Sequence, residues 1–286
     1  MKVGIVTDSV ADLPPSLARE TGIGVVPYNI HWGQQTFKDG QELAAAGFYQ
    51  RLATDPTLPT TSCPSAGDYV NAFRAAAERT SAVISLHITA QGSGAYQAAS
   101  MARDLVPDLD VTVINTNAVS MATGYIALEA ARAANQGASK TDVLAGISRL
   151  MAQIHQIYAA DTLKYLYLGG RIGRAKHLMG ALLNLKPLIT MDRDGVIGAL
   201  GQALSRQGVY RRIVETMRVR VGGGEPIKLA LVQGAAEAEI AKLKAQILAE
   251  FRCQEVLDCE FGPALGVHTG PGTVGVVFFK ASALAS

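Results

Sequence analysis

The sequence predicts an α/β fold built from two domains, and three observations lead to this prediction. Segments typical of strands alternate with segments typical of helices along the 286 residues, which is the pattern of α/β folds. The largely apolar run Ala82–Ile88 is typical of a buried parallel strand. The pattern changes near Ile157–Leu163, and the chain length suits two ordinary domains. We therefore expect a first domain over residues 1–158 and a second over residues 159–286.

The first domain begins with a predicted strand at Val3–Thr7 and a short helix at Pro14-Pro15, because proline is tolerated in the first turn of a helix. Ser65 followed by Asp68 is the pattern of a capping box, which predicts a helix from Ser65 to Glu78. The remaining predicted elements are strands at Gly24–His31, Gln35–Phe37, Ala82–Ile88 and Val111–Ile114, an extended loop at Thr57–Ser62, and helices at Ala45–Ala53, from Ser93, and twice across Ser120–Gln156.

The second domain begins with a glycine-rich basic loop, Gly169–Gly173, which we expect to precede a helix. Asp192–Gly195 is predicted to be a turn between two strands, because Asp and Gly favour turns. The other predicted elements are strands at Pro187–Met191, Ile227–Val232, Gln254–Cys259 and Val274–Phe279, an arginine-rich helix before the linker Gly222-Gly223-Gly224, and a helix at Ala235–Phe251.

The composition excludes a mainly disordered chain. Hydrophobic residues make up 49% of the chain and charged residues 17%, so the chain has enough apolar material to fold and is not disordered.

The net charge is only +2, but Lys164–Arg220 holds 11 Lys and Arg against 3 Asp and Glu. That basic segment fits an anionic ligand, an acidic protein or a nucleic acid as partner, or simply a solvated helix face.

The sequence indicates a cytoplasmic protein without a membrane span. The first residues lack the apolar core and cleavage site of a signal peptide. The uncharged stretches Thr80–Ala102 and Val111–Leu128 approach spanning length, but polar residues and glycine interrupt both. The cysteines number 3 and form no CxxC pair, so we expect free thiols.

Three groups of polar residues are candidates for a site. Asp8 and Asp12 follow the first strand, where ligands bind in open α/β sheets, although Asp also simply favours turns. The hydroxyls of Thr60–Ser62 precede the Ser65 helix, whose free N–H groups favour an anion; alternatively, Ser65 is only a cap. Ser93 lies in a Gly-Ser-Gly turn where the backbone can approach a ligand, or is an ordinary N-cap.

The segment from Gly266 to Gly275 is the last candidate. Gly270, Gly272 and Gly275 match G-x-G-x-x-G, but that motif should leave a strand and open a helix, whereas this segment leads into a strand. His268 is the better candidate, since it is the one histidine of five in such a glycine-rich loop; a loop histidine can equally be structural. The sequence contains no P-loop motif and no strong zinc motif.

Taken together, these motifs resemble the DegV family of bacterial fatty-acid-binding proteins. They occur in family order and cover nearly the whole chain, and the ordered set is more specific than any single piece. The matching pieces are Val6-Thr7-Asp8-Ser9 with Asp12-Leu13, Thr61-Ser62-Cys63-Pro64-Ser65, Ser93-Gly94-Ala95-Tyr96, Leu166–Arg174, Lys186-Pro187-Leu188-Ile189 and His268-Thr269-Gly270-Pro271-Gly272.

The resemblance implies a first domain with a Rossmann-like parallel sheet and a long-chain fatty acid bound between or within the two domains. No further cofactor is implied. The fatty acid carboxylate would be held by loop hydroxyls matching Thr61 and Ser93, with a histidine matching His268 nearby. The complete set of residues expected at the carboxylate is Thr61, Ser62, Ser93, Gly94, His268 and Thr269.

The resemblance also implies a carrier rather than an enzyme. The carrier would present its fatty acid to a separate ATP-dependent fatty acid kinase, which forms an acyl phosphate. Arg171, Arg174 and Arg206 are the expected docking residues for this partner. Two positions depart from the family pattern, because Cys63 stands where many members have Gln and Asn115-Thr116 stands where Asp-Ser is usual.

Two other functions are weighed against the carrier. A serine hydrolase would use Ser93, Asp192 and His268 in the order Ser, Asp, His, but the nucleophile elbow needs G-x-S-x-G and position 91 is Gln. A nucleic-acid binder would use the basic segment, but the sequence lacks an aromatic stacking series or a recognised motif, so we expect no nucleic-acid partner. A charge-poor chain with neutral hydroxyls suits an acyl ligand better.

Overall fold

Strands and helices alternate along the chain, as the sequence predicts. The computed structural model describes residues 2–180, 185–222 and 224–284. The strands are β1 (Val3–Asp8), β2 (Gly24–Val26), β3 (Asn29–Trp32), β4 (Gln35–Lys38), β5 (Thr60–Ser62), β6 (Ala82–His87), β7 (Val111–Asn115), β8 (His155–Ala159), β9 (Lys186–Met191), β10 (Ile197–Ala203), β11 (Ile227–Gly234), β12 (Cys253–Glu260) and β13 (Thr273–Lys280).

The helices fill most of the intervals between these strands. The α-helices are α1 (Pro15–Thr21), α2 (Ala45–Thr54), α3 (Ala66–Ala77), α4 (Ala95–Asp104), α5 (Met121–Asn135), α6 (Lys140–Gln153), α7 (Lys164–Leu168), α8 (Arg206–Val221), α9 (Glu237–Glu250) and α10 (Pro263–Thr269). Short 3₁₀ helices cover Ser9–Ala11, Gly173–Gly180 and Ala281–Leu284.

Four parallel strands form the first sheet, sheet A, in the order β2-β1-β6-β7. Every residue of β6 is buried, and Ile5 of β1 pairs with Ile84 of β6. Successive residues of a strand point to opposite faces, so Val6 packs with α3 and α4 whereas Ile5 packs with α5. The α/β fold and its Rossmann-like parallel sheet are therefore confirmed.

The second large sheet, sheet B, has six strands in the order β10-β9-β8-β13-β11-β12. The pair β11 and β12 is parallel, and the other neighbours are antiparallel. Helices α8 and α9 cover one face of the sheet. Because β8 joins sheet B, the predicted boundary between residues 158 and 159 falls inside a strand of that sheet; the boundary itself stays a prediction.

Helix α5 lies between the two large sheets and contacts both. Its face towards sheet A packs on Ile5 and Ile84. On the other side the Tyr125 ring meets Phe279 of β13 edge-on, with ring centroids 5.1 Å apart, and the Tyr125 hydroxyl donates to the Leu229 carbonyl at 3.0 Å. This packing on two sides buries 11 of the 15 residues of α5, which explains why its sequence is mainly apolar.

A third sheet, sheet C, is small and antiparallel, in the order β4-β3-β5. Its presence changes two predictions. The predicted strand Gly24–His31 is divided into β2 in sheet A and β3 in sheet C, and Pro27, which has no N–H to donate, lies between them. Part of the predicted loop Thr57–Ser62 is the strand β5, because Thr61 pairs with Ile30 of β3.

Three further differences concern helices. Helices α7 and α10 were not predicted, and α4 begins at Ala95 with Gly94 as its N-cap, not with Ser93. The helix expected after the glycine-rich loop is a 3₁₀ helix over Gly173–Gly180; residues 181–184 lie outside the described residues. Within the described ranges, no helix is both long enough and apolar enough to cross a membrane.

A fully buried chain of hydrogen bonds fastens β1 to β6. The His87 ring joins two side chains: its Nδ1 lies 3.0 Å from the Asp8 carboxylate and its Nε2 lies 2.7 Å from the Ser85 hydroxyl. All three residues are inaccessible to solvent. A buried carboxylate without a partner is costly, so His87 is expected to stabilise the end of β1 where the chain turns.

Replacing His87 should therefore destabilise the fold strongly. We expect His87→Ala to lower the free energy of unfolding by about 3–5 kcal/mol, since it leaves the Asp8 carboxylate buried without its partner. Guanidinium denaturation measures the change. The control is His177→Ala at an exposed position, expected to stay within about 0.5 kcal/mol of the parent. Equal unfolding free energies for the two variants would contradict this role.

Candidate functional site

A cavity of about 370 Å³ lies between the carboxyl end of sheet A and sheet B, a size typical of ligand sites. Residues that follow β1, β6 and β7 supply one side of it, at the edge where ligands bind in open α/β sheets. Strands β8, β9 and β10 supply the opposite side, and α10 contributes a third wall. The topology therefore places one cavity between the two large sheets.

The cavity brings together the residues that the sequence singled out in separate motifs. All six expected carboxylate-binding residues lie in its wall; these are Thr61, Ser62, Ser93, Gly94, His268 and Thr269. They come from β5, from the turn before α4 and from α10, which are far apart in the chain. Their proximity is a result of the fold, and their role at a carboxylate stays a prediction.

Thr61 and His268 form the first polar pair of the cavity. The Thr61 hydroxyl lies 2.8 Å from His268 Nε2, across 207 positions of sequence. Residue His268 lies in the last turn of α10, so the expectation of a glycine-rich loop was wrong there. Pro263 opens that helix and Gly270 ends it, the usual places for these two residues.

The His268 ring is held neutral and tightly packed. Burial, together with the nearby positive charge of Arg171, lowers the pKa of His268 to about 4. A neutral imidazole can donate from one nitrogen and accept at the other. Its Nδ1 has no hydrogen-bond partner among the described residues, and it lies against Gly169, where an added Cβ would come within 2.3 Å of it. A glycine is therefore required beside the ring.

Ser93 and Tyr28 form a second polar pair. The two hydroxyl oxygens are 2.6 Å apart, and the Ser93 oxygen also accepts from the Ala95 amide at 3.2 Å. Burial and the nearby Asp8 raise the pKa of Tyr28 well above its usual value, so its hydroxyl stays protonated. Tyr28 was not predicted, because nothing in its local sequence marks it; it lies between β2 and β3 and meets Ser93 across 65 positions of sequence.

The two polar pairs lie at the same end of the cavity. Gly94 sits beside Cys63, so that an added Cβ would come within 3.3 Å of the Cys63 sulfur. Arg171 links the backbone next to each pair. Its Nη1 donates to the carbonyl of Gly169, which lies against His268, at 2.6 Å, and its Nε donates to the carbonyl of Gly92, next to Ser93, at 3.3 Å. Arg171 is also the single Lys, Arg, Asp or Glu among the described residues that line the cavity.

The rest of the cavity wall is mainly apolar. Most of these side chains come from the strands of sheet B and from α10, where they face the end of sheet A. They include Val119, Tyr158, Ile189, Val196, Ile197, Phe261, Ala264 and Leu265. The site therefore combines neutral hydrogen-bonding groups at one end with an apolar interior, which suits an amphipathic ligand.

The other two predicted docking arginines are engaged in contacts within the molecule. Arg174 is exposed over 61% of its side chain and pairs with Asp192 and Asp194 of the turn before β10. Arg206 is exposed over only 20% and donates to Asp161 at 2.6 Å and to the Gly272 carbonyl. Their docking role stays a prediction, and Arg174 is the more accessible of the two.

The geometry gives no support to a Ser-His-Asp hydrolase at this site. Ser93 is bonded to Tyr28 and not to His268, which is bonded to Thr61. Asp192 instead pairs with Arg174. The buried set Ser85, His87 and Asp8 has no solvent access, and so cannot meet a substrate. Among the described residues, no group of three or more His, Cys, Asp or Glu could hold a metal ion.

The two departures from the family pattern also have places in the structure. Cys63 lines the cavity, and burial raises the pKa of its thiol. Asn115 accepts from the Ala90 amide at 3.2 Å and donates to Asn117 at 2.8 Å. Asn117 in turn donates to the Arg193 carbonyl, so this asparagine pair fastens the β9–β10 turn to sheet A.

Comparison with known proteins identifies relatives over the full length. The family model described as "Uncharacterised protein, DegV family" matches residues 2–281. A DegV domain-containing protein from Deinococcus radiodurans is 34% identical over 286 residues, covering 99% of this chain and 100% of its own.

Solved structures are also similar to this chain over nearly its whole length. A structure from Thermus thermophilus, described as fatty acid binding of a DegV family protein, has a TM-score of 0.93 and 33% identity, covering 98% of this chain and 100% of its own. DegV from Bacillus subtilis, described as a fatty acid binding protein, has a TM-score of 0.90 and 28% identity, covering 98% and 99%.

Proposed function

Because this chain belongs to the DegV family, we propose that it binds a long-chain fatty acid in the cavity between sheets A and B. The carboxylate lies beside Thr61, Ser93 and His268, and the acyl chain extends along the apolar wall. The observation that supports this most strongly is the meeting of three neutral polar side chains at one end of a mainly apolar cavity. The descriptions of the two solved relatives support the same ligand class.

The energetics favour an acyl chain as the main source of affinity. Burying each methylene gains about 0.8 kcal/mol, so a long chain gains on the order of 10 kcal/mol before the costs of association. Orientation then requires only a few hydrogen bonds to the carboxylate. Hydroxyls and a neutral imidazole provide them without the strong neutralisation that a bidentate arginine would bring.

We infer further that the bound fatty acid is presented to a separate ATP-dependent kinase, which forms the acyl phosphate. A carboxylate held by neutral donors remains available to a phosphoryl donor. The basic segment Lys164–Arg220, with 11 Lys and Arg against 3 Asp and Glu, supports docking of an acidic partner surface. In this proposal the protein is a non-catalytic carrier, and its residues bind and orient the fatty acid while the partner supplies the chemistry.

The first prediction from this function is that the purified protein carries a long-chain fatty acid. Apolar lining and neutral donors should retain a ligand through purification, because the acyl chain has little tendency to return to water. Organic extraction followed by mass spectrometry measures it, with an unrelated protein from the same cells as control. A preparation that contains no fatty acid and takes none up on incubation would contradict the proposed function.

The second prediction concerns the carboxylate contacts. The double variant Thr61→Val with Ser93→Ala should weaken binding of a 16-carbon fatty acid roughly 30-fold, since two hydrogen bonds of about 1 kcal/mol each are lost. Fluorescence titration of delipidated protein measures the Kd. The matched control is Ser148→Ala with Thr216→Val, where both hydroxyls bond only to their own helix. Equal Kd values would place the carboxylate elsewhere.

The third prediction tests presentation to the kinase. Arg174→Glu should slow acyl phosphate formation by the partner about tenfold at low salt, because charge complementarity governs the encounter, and should leave fatty-acid uptake unchanged. Arg149→Glu makes the same charge change at an exposed position on α6 and serves as control. If both variants support the kinase as well as the parent does, Arg174 has no docking role.

A further inference from the structure

Two buried carboxylates hold the helix that carries His268. The Asp12 carboxylate accepts the Gly262 amide at 2.9 Å, and the Asp39 carboxylate accepts the Ala264 amide at 3.2 Å. These amides are the N-cap and the second residue of α10, and Pro263 between them has no N–H to offer. Asp12 and Asp39 thus satisfy two of the free backbone donors at the beginning of this helix.

Hydroxyl groups fix the two carboxylates in turn. Ser120, which precedes α5, donates to Asp12, and Ser9 donates to Asp39 at 2.6 Å. The Ser9 oxygen also accepts the Tyr28 amide at 3.0 Å, so one chain of contacts runs from α10 through Asp39 to the residue that bonds Ser93. Asp12 itself has a φ of 49°, a left-handed conformation that is uncommon for a residue other than glycine.

The arrangement is costly, which argues that it serves more than folding. Asp12 is 8% exposed and Asp39 is 3% exposed, and neither forms an ion pair with a Lys or Arg within the described residues. Burial, together with the nearby Asp8, raises the pKa of Asp39 to about 6 against the hydrogen bonds that lower it. Burial likewise raises the pKa of Asp12. Because these pKa values are raised in the folded state, the free energy of unfolding decreases as pH rises through them.

The proposal, which rests on the proposed fatty-acid site, concerns what these contacts do for the helix. We propose that Asp12 and Asp39 are positioning residues, which hold the beginning of α10 against the segments that follow β1 and β4 so that its last turn presents His268 to Thr61. The helix rises about 1.5 Å per residue, so an anchor at Gly262 sets the place of His268 roughly 9 Å along its axis. Side packing of Gly266 on Phe48 fixes the helix laterally.

An open groove reaches the carboxylates from the side opposite the fatty-acid cavity. This groove, of about 1240 Å³, is lined by Ser9, Asp12, Asp39, Gly262 and Pro263. None of these residues lines the fatty-acid cavity, whereas Ala264, the next residue of α10, does. Bulk solvent can therefore exchange protons with Asp39 while an acyl chain fills the other cavity, so the positioning contact responds to pH.

The groups that face Asp39 define the pH window of this response. They are the carboxylates of Asp8 and Asp12 and the hydroxyls of Tyr28 and Tyr49. The other charged residues that line the groove are Lys2, Arg19, Glu78, Arg79, Asp258 and Glu260. Tyr28 and Tyr49 have raised pKa values and stay neutral. His268, with a pKa of about 4, also stays neutral above pH 5.5. Protonation of Asp39 leaves an oxygen for the Ala264 amide but removes the charge that strengthens this bond, so α10 is held less firmly as pH falls through about 6.

The test separates positioning from folding by using Asp39→Asn. The amide keeps an oxygen for Ala264 but loses the charge, and charge-assisted hydrogen bonds are about twice as strong as neutral ones. We expect the Kd for palmitate at pH 7.5 to rise about tenfold, while Tm stays the same or increases, because a costly buried charge is gone. Asp39→Ala should weaken binding further, with a lower Tm.

Two more measurements complete the experiment. The parent should lose affinity between pH 7.5 and 5.5 more steeply than Asp39→Asn, and ionisation of palmitate is common to both. The NMR resonance of the His268 ring, which is assigned by its absence from the spectrum of His268→Gln, should shift in lipid-free Asp39→Asn. The control is Asp142→Asn, which alters a capping carboxylate at the start of α6 and should change neither the Kd, nor its pH dependence, nor the His268 resonance.

The possible results distinguish a positioning role of Asp39 from a structural one. Parental affinity, parental pH dependence and an unmoved His268 resonance in Asp39→Asn would overturn the positioning role. Weaker binding that accompanies a lowered Tm in Asp39→Asn, with an unmoved His268 resonance, would also overturn it, because the role would then be structural. If the parent itself binds no palmitate, the proposed function fails, and the lipid-free His268 resonance still decides whether Asp39 positions the ring.

Discussion

The burial of α5 between sheets A and B is the constraint on which the rest of the structure depends. Because one helix packs on Ile84 on one side and on Phe279 on the other, the two sheets are held at a fixed separation. The carboxyl end of sheet A then faces β8, β9 and β10 across a gap that neither sheet fills. The cavity is therefore a direct consequence of how the two layers share a helix.

Charge is distributed so that the cavity itself remains nearly neutral. Its polar end consists of hydroxyls and an uncharged imidazole, whereas the carboxylates of Asp8, Asp12 and Asp39 lie behind that end and point to backbone amides and hydroxyls. In a low-dielectric interior, unpaired charge is costly. The proposed carboxylate ligand would thus be the main negative charge inside the cavity, with Arg171 as the positive group nearest to it.

Much of the fold could be predicted from local patterns, and the failures have physical reasons. The capping box at Ser65 and Asp68 and the buried strand β6 are encoded by neighbouring residues, and the structure confirms both. Strand β5 was predicted as a loop, because its partner β3 lies 30 residues away. Helix α10 was missed, because its seven residues include Pro263, Gly266 and Val267, which have weak helical preference, and because its beginning is held by Asp12 and Asp39 from the other end of the chain.

The candidate site, like the fold, was predictable from the sequence only in part. The sequence by itself determined the fold class and singled out Thr61, Ser93 and His268 as candidates, because they lie in short motifs of hydroxyl side chains or glycine, where the backbone can approach a ligand. Only the tertiary structure decided that these residues share one cavity, that Tyr28 belongs with them, and that His268 lies on a helix held by two distant carboxylates. Such contacts span up to 250 positions of sequence, and packing of distant segments, not local preference, brings them together.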